Sequence, residues 1–417
     1  MTPGAGAAGT GVVGGGWLPG TSEPGEPVLR WSSRAHSIDA VQEELARIWS
    51  SISLAMPGDG AEERRVAARS SVMNLVVVAG RGETGQRAAS VIHGLMGRHP
   101  SRTIIVTPAD PDGPSWIDAQ VQAHCVLPSR DSPETCAELV YLTAGGEAGQ
   151  HLAGCVAPLL VHDLPVTVWW PAEPRFESRG AKALLELADR IVVDGSRWSG
   201  EGLEGLATLA TLPGRYAVQV ADFALLRQSR WREAIASSFD LPRLRPFLGS
   251  VRRMSVGYAA HDGSPRATNV VKPIYHLAWL ASRLGMVVVE PLTPGTEPWS
   301  GYAGRLRMGR GRVSVELRPI ESTPPGGTTV EVVLEARRGR QLLEAWVTGQ
   351  ADGITVSTKV DGEPLEDRHY LVARRHEGDL LAETIEDAGA HPLTAEALAM
   401  AASLIGRPVR AGRARNA

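Results

Sequence analysis

Residues 72–107 read VMNLVVVAGRGETGQRAASVIHGLMGRHPSRTIIVT, and this stretch decides the fold. The apolar run at residues 72–79 predicts a strand that is buried on both faces. Residues 86–97 have a helical pattern, and residues 102–107 predict a second strand. A helix between two apolar strands indicates a parallel sheet with right-handed crossovers.

The same alternation continues to about residue 240. Further strands are predicted at residues 119–127, 164–170 and 190–193, and further helices at residues 133–142, 152–160, 178–189 and 222–237. Ahead of this region, Ser37 is a suitable N-cap for a helix that carries Val41, Leu45 and Ile48 on one face.

After residue 248 the pattern changes. A helix is predicted over residues 267–284, and short alternating segments follow it. Glycine-rich breaks between these segments predict hairpin turns at residues 309–311 (GRG), 337–340 (RRGR) and 349–353 (GQADG). A final helix is predicted from a Thr394 cap to Gly406.

The sequence therefore predicts an α/β fold. It has an N-terminal, mostly parallel sheet with flanking helices and a C-terminal α+β domain with an antiparallel meander. The expected organisation is a disordered Gly/Pro-rich tail (1–36), a helix and linker (37–63), an α/β domain (64–248), an α+β domain (249–408) and a basic tail (409–417).

Composition excludes several classes of partner. The 417 residues carry a formal net charge of -3, so there is no global basic field to attract nucleic acid or an anionic membrane. We see no signal peptide and no apolar stretch long enough to span a bilayer. The three cysteines, Cys125, Cys136 and Cys155, form no CxxC pair, so a metal site is not expected. Such low cysteine use indicates a reducing compartment, and we expect a cytoplasmic protein.

The segment GRGETG, with Gly80, Gly82 and Gly85, fits the dinucleotide-binding fingerprint between a strand and a helix. An acidic residue should then end the next strand and hold the ribose, but Asp110 lies a few residues too far along. A simple surface turn is the favoured reading, and we expect no cofactor. We also find no set of nucleophile, base and orienting group, so no catalytic residue is expected.

Other side chains have both a structural and a binding interpretation. His99 and Arg102 either flank a helix end and a strand start or meet an anion or a partner's carboxylate. Trp169 and Trp170 are adjacent on a predicted strand and should face opposite ways, so we expect only one of them to be structural. Arg232 lies on a predicted helix, where a solvated position is expected.

Several blocks in a fixed order resemble the glucose-6-phosphate dehydrogenase assembly protein family (OpcA). They are NLVVV (74–78), HPSR (99–102), DAQV (118–121), PLL (158–160), DLPV (163–166), WWP (169–171), LADRIVVD (187–194), WRE (231–233), FD (239–240) and LASRLG (280–285). The resemblance covers residues 64–290 well and the rest weakly. The GRGETG segment is not part of the family pattern.

This resemblance implies a non-catalytic protein that binds glucose-6-phosphate dehydrogenase and promotes its active oligomer in the oxidative pentose phosphate pathway. The motif residues that it offers as candidates for partner binding are His99, Arg102, Asp163, Trp169, Trp170, Asp189, Arg190, Trp231 and Arg232. Some members of this family are thought to respond to redox state through cysteines in their C-terminal part. This chain has no cysteine after Cys155, so we expect no such thiol switch in its C-terminal domain. The alternatives are an NAD(P)- or nucleotide-binding enzyme and a sugar-phosphate-sensing module.

Overall fold

The computed structural model describes residues 16–18, 25–52, 68–69, 71–80, 82–127, 129, 134–261, 267–297, 299–387 and 392–409. The chain folds as two compact units. The first unit holds the described residues up to Asp189 apart from Ala172–Pro174, and the second holds Ala172–Pro174 and the residues from Arg190 onward. Among the described residues, no helix has the length and apolar content needed to span a bilayer.

The first unit is built on one mixed sheet. Its strands are β1 (Gly16–Trp17), β2 (Pro27–Ala35), β3 (Ala68–Arg69), β4 (Asn74–Val78), β5 (Arg102–Pro108), β6 (Trp116–Val126), β7 (Thr135–Gly145) and β8 (Val166–Trp169). Its helices are α1 (Ile38–Ile52), α2 (Gly82–His93), α3 (Gly146–Gln150), α4 (Leu152–Val156) and α5 (Arg179–Leu187), with a 3-10 turn at Ala157–Leu159. The strand order is β1-β2-β6-β7-β5-β4-β8, with β3 beside β7.

Most strand pairs in this sheet are parallel, as the alternation of strands and helices predicted. The pairs β3–β7, β7–β5, β5–β4 and β4–β8 run parallel, whereas β1–β2, β2–β6 and β6–β7 run antiparallel. The central strands carry continuous apolar runs because both of their faces are covered; Val76 and Ile104 are fully buried. Helix α1 begins after Ser37, whose hydroxyl accepts a hydrogen bond from the Ala40 amide at 3.2 Å.

Two expectations for this part of the chain are wrong. Residues 133–142 were expected to be helical, but residues 135–145 form β7, between β6 and β5. Residues 1–36 were expected to be disordered; residues 1–15 and 19–24 lie outside the described residues, but residues 27–35 form β2 and pair with β6 over most of its length. Strand β2 pairs with a distant strand, and β7 is held between its hairpin neighbour β6 and the parallel strand β5, so tertiary pairing overrides the local composition.

The second unit contains a large, mainly antiparallel sheet. The strands of this unit are β9 (Arg190–Val193), β10 (Gln219–Asp222), β11 (Val251–Ala260), β12 (Val287–Pro294), β13 (Tyr302–Met308), β14 (Gly311–Glu321), β15 (Thr329–Arg338), β16 (Gln341–Gly349), β17 (Gly353–Val360), β18 (Glu363–Pro364) and β19 (Arg368–Leu371). Strands β9 and β10 pair in parallel with each other, and β11–β19 form the large sheet. Its helices are α6 (Leu203–Tyr216), α7 (Phe223–Leu226), α8 (Ser229–Ser237), α9 (Val271–Arg283), α10 (Glu377–Glu386) and α11 (Pro392–Leu404), with 3-10 turns at Gly195–Arg197 and Arg245–Ser250.

The order in the large sheet is β12-β13-β14-β11-β15-β16-β17-β18, with β19 beside β17. The hairpin turns expected near residues 309–311, 337–340 and 349–353 are confirmed, since each joins two antiparallel neighbours. Strand β11 is inserted parallel to β14, which the expected meander did not include. The helix expected over residues 222–237 is two shorter helices, α7 and α8, and Thr394 lies within α11 instead of capping it.

The compact units divide at residues 189–190, whereas we expected a domain boundary at residue 248. The physical reason is packing with later helices. Helix α6 and strand β10 pack against α11, and α7 packs against α9. Residues 190–248 are thereby grouped with the C-terminal part of the chain, although their strand-helix alternation is like that of the first unit.

Candidate functional site

The HPSR block places Arg102 at the start of β5, where it forms a buried ion pair with Glu138 of β7. Arg102 Nη2 donates to Glu138 Oε1 at 2.8 Å, Nε donates to the second carboxylate oxygen, and Nη1 donates to the Leu159 carbonyl at 2.8 Å. Trp49 Nε1 also donates to Glu138, which is fully buried. The guanidinium of Arg102 therefore makes its hydrogen bonds within its own unit. His99 is half-buried, and its amide donates to the Leu95 carbonyl at the end of the turn that follows α2.

Cys136 and Glu138 alternate along β7 and so share one face of the sheet, and Glu134 directly precedes the strand. Glu134 pairs with buried Arg30 of β2 at 2.6 Å. Cys136 is opposite Cys125 of β6, and the two form a disulfide on which Trp49 packs. The fold thus joins two of the three cysteines in a disulfide, which differs from the reduced state that we expected from the low cysteine count.

The sulfur atoms of that disulfide and the Glu134 carboxylate lie close enough together to hold a metal ion. Their donors are already used, however, in the disulfide and in the ion pair with Arg30. Cys155 is free and buried, and burial raises the pKa of its thiol. Sequence reasoning missed Arg30 and Glu134, because neither has a local pattern that points to its distant partner.

The DLPV block forms a turn that Asn74 holds in place. Asn74 Nδ2 donates to the carbonyls of Val161 and Leu164 at 3.0 and 3.1 Å, and its Oδ1 accepts from the Val161 amide at 2.8 Å. Asp163 is exposed and has a left-handed backbone with φ of 64°. Aspartate is one of the few non-glycine residues that adopt this conformation readily, which gives the position a structural explanation.

Asp189 and Arg190 of the LADRIVVD block form hydrogen bonds with residues at the ends of strands and helices. Asp189 is exposed, yet its carboxylate accepts from the Val166 amide at 2.8 Å at the start of β8. In the second unit, Arg190 Nη2 donates to Gln219 Oε1 at 2.8 Å, and the same guanidinium donates to the carbonyls of Thr384 and Asp387. Burial lowers the pKa of Arg190.

Trp169 and Trp170 are both buried, with 0% and 4% of their surface exposed. The expectation that only one of them is structural is therefore wrong. Trp169 ends β8 inside the core. Trp170 lies just beyond the strand, where Phe176 packs edge-to-face against it with ring centroids 5.7 Å apart. The chain that follows covers the side of Trp170 that strand alternation alone left open.

The WRE block lies on α8. Arg232 turns inward, contrary to the solvated position that we expected, and donates to the Leu225 carbonyl at 2.7 Å. Burial lowers its pKa to about 10. Trp231 is half-buried and meets the His276 ring edge-to-face at 5.4 Å. Burial, with help from the positive charges of Arg232 and Lys272, lowers the pKa of fully buried His276 to about 3.

A polar cluster that sequence reasoning missed lies at the carboxyl ends of the parallel strands β9 and β10. Asp222 is fully buried and accepts hydrogen bonds from the Gly195 and Ala224 amides and from the Tyr275 hydroxyl, at 2.8–2.9 Å. Burial, and to a lesser degree nearby Asp194, raises the pKa of Asp222 to about 7.

Asp194 in turn binds Arg227 at 2.8 Å and Arg197 at 3.2 Å. Burial lowers the pKa of Lys272, whose charge interacts with this group. The available signal in the sequence was an aspartate at the carboxyl end of each strand, Asp194 directly after β9 and Asp222 as the last residue of β10, because such positions meet at one edge of a parallel sheet.

The GRGETG segment has the strand-loop-helix context of a dinucleotide site, since it joins β4 to α2. Gly80 and Gly85 do not have the left-handed backbone that only glycine favours. A Cβ atom at Gly80 would meet no atom within 4 Å, and one at Gly85 would make ordinary contacts of 3.5 Å. Asp110 is exposed, and its carboxylate accepts from the Asp112 amide at 3.2 Å. These glycines are thus not required by the local packing.

Two family models match the sequence. One, described as the glucose-6-phosphate dehydrogenase subunit N-terminal domain, matches residues 93–211, and its C-terminal counterpart matches residues 218–398. The chain belongs to this family. The break between the two models falls at residues 211–218, between the observed unit boundary and the boundary expected from sequence.

Curated relatives of the family include two proteins provisionally named OxPP cycle protein OpcA. The protein from Synechocystis sp. is 30% identical over 189 residues, which are 45% of this chain and 37% of the relative. The protein from Nostoc punctiforme is 29% identical over 188 residues, which are 45% of this chain and 38% of the relative. The matched region thus spans well under half the length of these family members.

Among solved structures, an aldose-aldose oxidoreductase from Caulobacter crescentus aligns with a TM-score of 0.41 at 12% identity. The alignment covers 81% of this chain and 97% of that one. A similarity at this level supports no inference about this chain.

Proposed function

We propose that this chain is a non-catalytic partner of glucose-6-phosphate dehydrogenase that binds the enzyme and promotes its active oligomer in the oxidative pentose phosphate pathway. The observation that carries the proposal is the pair of family models, which match residues 93–211 and 218–398 and so cover part of the first compact unit and most of the second. The proposal also places the protein in the cytoplasm with that enzyme.

The uses of the motif side chains support a scaffold better than a catalyst. Arg102, Arg190 and Arg232 each donate to carbonyl or carboxylate groups within their own unit. His99, Asp163, Asp189 and Trp231 are exposed or half-buried, and we propose that a partner contacts the exposed parts of these motif residues. A protein of this kind acts through its surface, with the buried motif residues fixing that surface in shape.

The proposed activation has a simple thermodynamic requirement. A partner that binds the active and inactive oligomers equally well shifts nothing, however tightly it binds. The chain must therefore bind the active oligomer more tightly. Moving the enzyme from 1% to 99% active would need an affinity ratio of about 10⁴.

The test uses purified chain and purified dehydrogenase from the same organism. The chain is titrated into a fixed, dilute amount of enzyme, while the reaction rate and the mass of the complex are measured on the same samples. We expect the rate to rise and saturate with complex formation, and the enzyme's mass distribution to move to the larger oligomer. A complex that forms without changing either quantity would refute activation, and no complex at micromolar concentration would refute the partnership.

The alternative, an NAD(P)- or nucleotide-binding enzyme, is favoured by one observation, the position of GRGETG between β4 and α2. It would use Gly80, Gly82 and Gly85 to let a phosphate approach the helix start. The ordinary packing around Gly80 and Gly85 weighs against it, and cofactor binding to the isolated chain tests it directly.

A further inference from the structure

Seven exposed arginines are gathered at one end of the large sheet in the second unit, and we call this group the arginine end. It comprises Arg252, Arg307, Arg310, Arg312, Arg337, Arg338 and Arg340. They come from the start of β11, from the β13–β14 hairpin and from the β15–β16 hairpin. The concentration is local, because the whole chain has a net charge of -3.

Strand register places these segments side by side. Strand β11 lies between β14 and β15, and Arg253 is level with Ser314 on one side and Glu335 on the other. The two hairpin turns therefore project from the same end of the sheet, and their centres are three strand spacings or about 14 Å apart. Arg252 reaches the first turn, since a Cβ atom at Gly311 would lie 2.5 Å from its Nη1.

The charges of the arginine end are not balanced by carboxylates. Arg253, one position into the sheet, binds Glu316 and Glu335 at 2.9 Å each. Within the described part of the chain, by contrast, none of the seven arginines forms an ion pair. Arg307 and Arg312 even stand directly opposite each other on antiparallel strands, an arrangement of like charges that costs stability.

We propose that the arginine end is a docking surface for an acidic face of a partner protein. Arginine binds carboxylates through two parallel hydrogen bonds and is enriched in protein interfaces. A nucleic acid is less well suited, because the neighbouring turn carries exposed Asp361 and Glu363, which would repel a continuous phosphate backbone. If the proposed function holds, that partner is the dehydrogenase, so this identification rests on the proposed function.

The test is a charge reversal at the two turns, Arg310→Glu/Arg338→Glu/Arg340→Glu, with circular dichroism as the check on folding. We expect the dissociation constant of the complex with the dehydrogenase to rise about ten- to hundredfold, since each exposed charge contributes modestly. The wild-type affinity should fall between 50 and 300 mM salt, and the affinity of the variant should depend less on salt.

The matched control is Arg179→Glu/Arg215→Glu/Arg374→Glu, which makes the same change in net charge at exposed arginines outside the arginine end. It should bind the dehydrogenase as the wild type does. If control and reversal weaken binding equally, only net charge matters and the docking surface is refuted. If the reversal binds as well as the wild type, the docking surface is refuted while the proposed function stands.

Two simple probes distinguish the remaining outcomes. Should the wild-type chain form no complex with the dehydrogenase, the proposed function fails, and a fluorescent polyglutamate peptide then tests the docking chemistry alone. Binding of that peptide by wild type and control, but not by the reversal, would support an acidic protein face, whereas no difference would refute it. If the wild type binds a 20-base-pair DNA duplex more tightly than the polyglutamate peptide, and the reversal does not bind the duplex, the proposal is overturned in favour of nucleic acid.

Discussion

Replacing Arg102 with methionine should be among the most destabilising single changes in the first unit. Methionine keeps the apolar stem but removes the charge that faces Glu138, whose side chain is fully buried. Removing one partner of a buried ion pair leaves an uncompensated charge and typically costs about 3–5 kcal/mol of unfolding free energy. The Leu159 carbonyl also loses the donor that Arg102 supplies at 2.8 Å.

A second variant separates the buried charge from the lost packing. In Arg102→Met/Glu138→Leu both charges are absent, and the remaining defects are the hydrogen bond that Trp49 Nε1 made to Glu138 and the one that the Leu159 carbonyl accepted from Arg102. An unsatisfied buried N–H group costs about 1–3 kcal/mol. The double variant should therefore be more stable than Arg102→Met alone by about 2 kcal/mol, because an apolar replacement of a whole buried pair is often neutral.

Urea unfolding followed by far-ultraviolet circular dichroism measures these differences. Arg34→Met is the control, because Arg34 pairs with Asp118 at 2.9 Å at an exposed site of the same unit, where solvent screens the pair. A midpoint for Arg102→Met close to that of the Arg34 control would show that the buried pair does not stabilise the unit. A double variant less stable than Arg102→Met would show that the buried Glu138 charge is not the source of the loss.

Four further predictions follow from the same contacts. Trp169→Ala and Trp170→Ala should each cost about 3–5 kcal/mol in urea unfolding, and a wild-type midpoint for either would contradict its burial. Millimolar NAD or NADP should leave the melting temperature unchanged, whereas a bound cofactor at a hundredfold its dissociation constant would add about 2.7 kcal/mol; a shift of several degrees, lost in Gly82→Trp, would reveal a real site. Buried neutral His276, with its pKa lowered to about 3, contributes stability that is complete above pH 6.5 and lost as the pH falls toward 3. The wild type should therefore lose up to about 1.4 kcal/mol per pH unit relative to His276→Leu over that range, while Asp222, with the opposite pH dependence, affects both proteins alike. Activation of a cysteine-blocked dehydrogenase should not change when the buried Cys125–Cys136 disulfide is reduced, and a reversible several-fold change that is absent in Cys125→Ser would contradict this.

The local sequence pattern was sufficient to predict strands that are buried on both faces and turns that require glycine. The runs that became β4 and β5 are apolar along most of their length, and the turns near Gly309 and Gly339 carry glycine where the backbone has positive φ. Pattern failed for β2 and β7. Both are defined by pairing within the sheet, β2 with β6 and β7 with β6 and β5, and the contacts that accompany this pairing, Arg30–Glu134 and Arg102–Glu138, join residues 104 and 36 positions apart.

The same limit applies to the candidate site. Arginine in the HPSR and WRE blocks could equally well have met a partner, and only the structure shows that Arg102 and Arg232 donate within their own units. Asp194 and Asp222 were not singled out, because the edge at which they meet exists only once β9 and β10 are paired. The sequence identified the motif segments, but only the structure shows whether their side chains point inward or toward solvent.

Most of the motif residues that identify the family therefore differ from the residues of the arginine end that we propose as a docking surface. The motif side chains mostly fix strand ends and turns from inside, so variants such as Arg102→Met should lower stability and, through it, binding. The arginine end lies on turns whose side chains are exposed and whose glycines hold the backbone, so its variants should lower binding at unchanged stability. A binding defect in Arg310→Glu/Arg338→Glu/Arg340→Glu with a wild-type urea midpoint would separate the two roles, because a defect that arises from unfolding must move that midpoint.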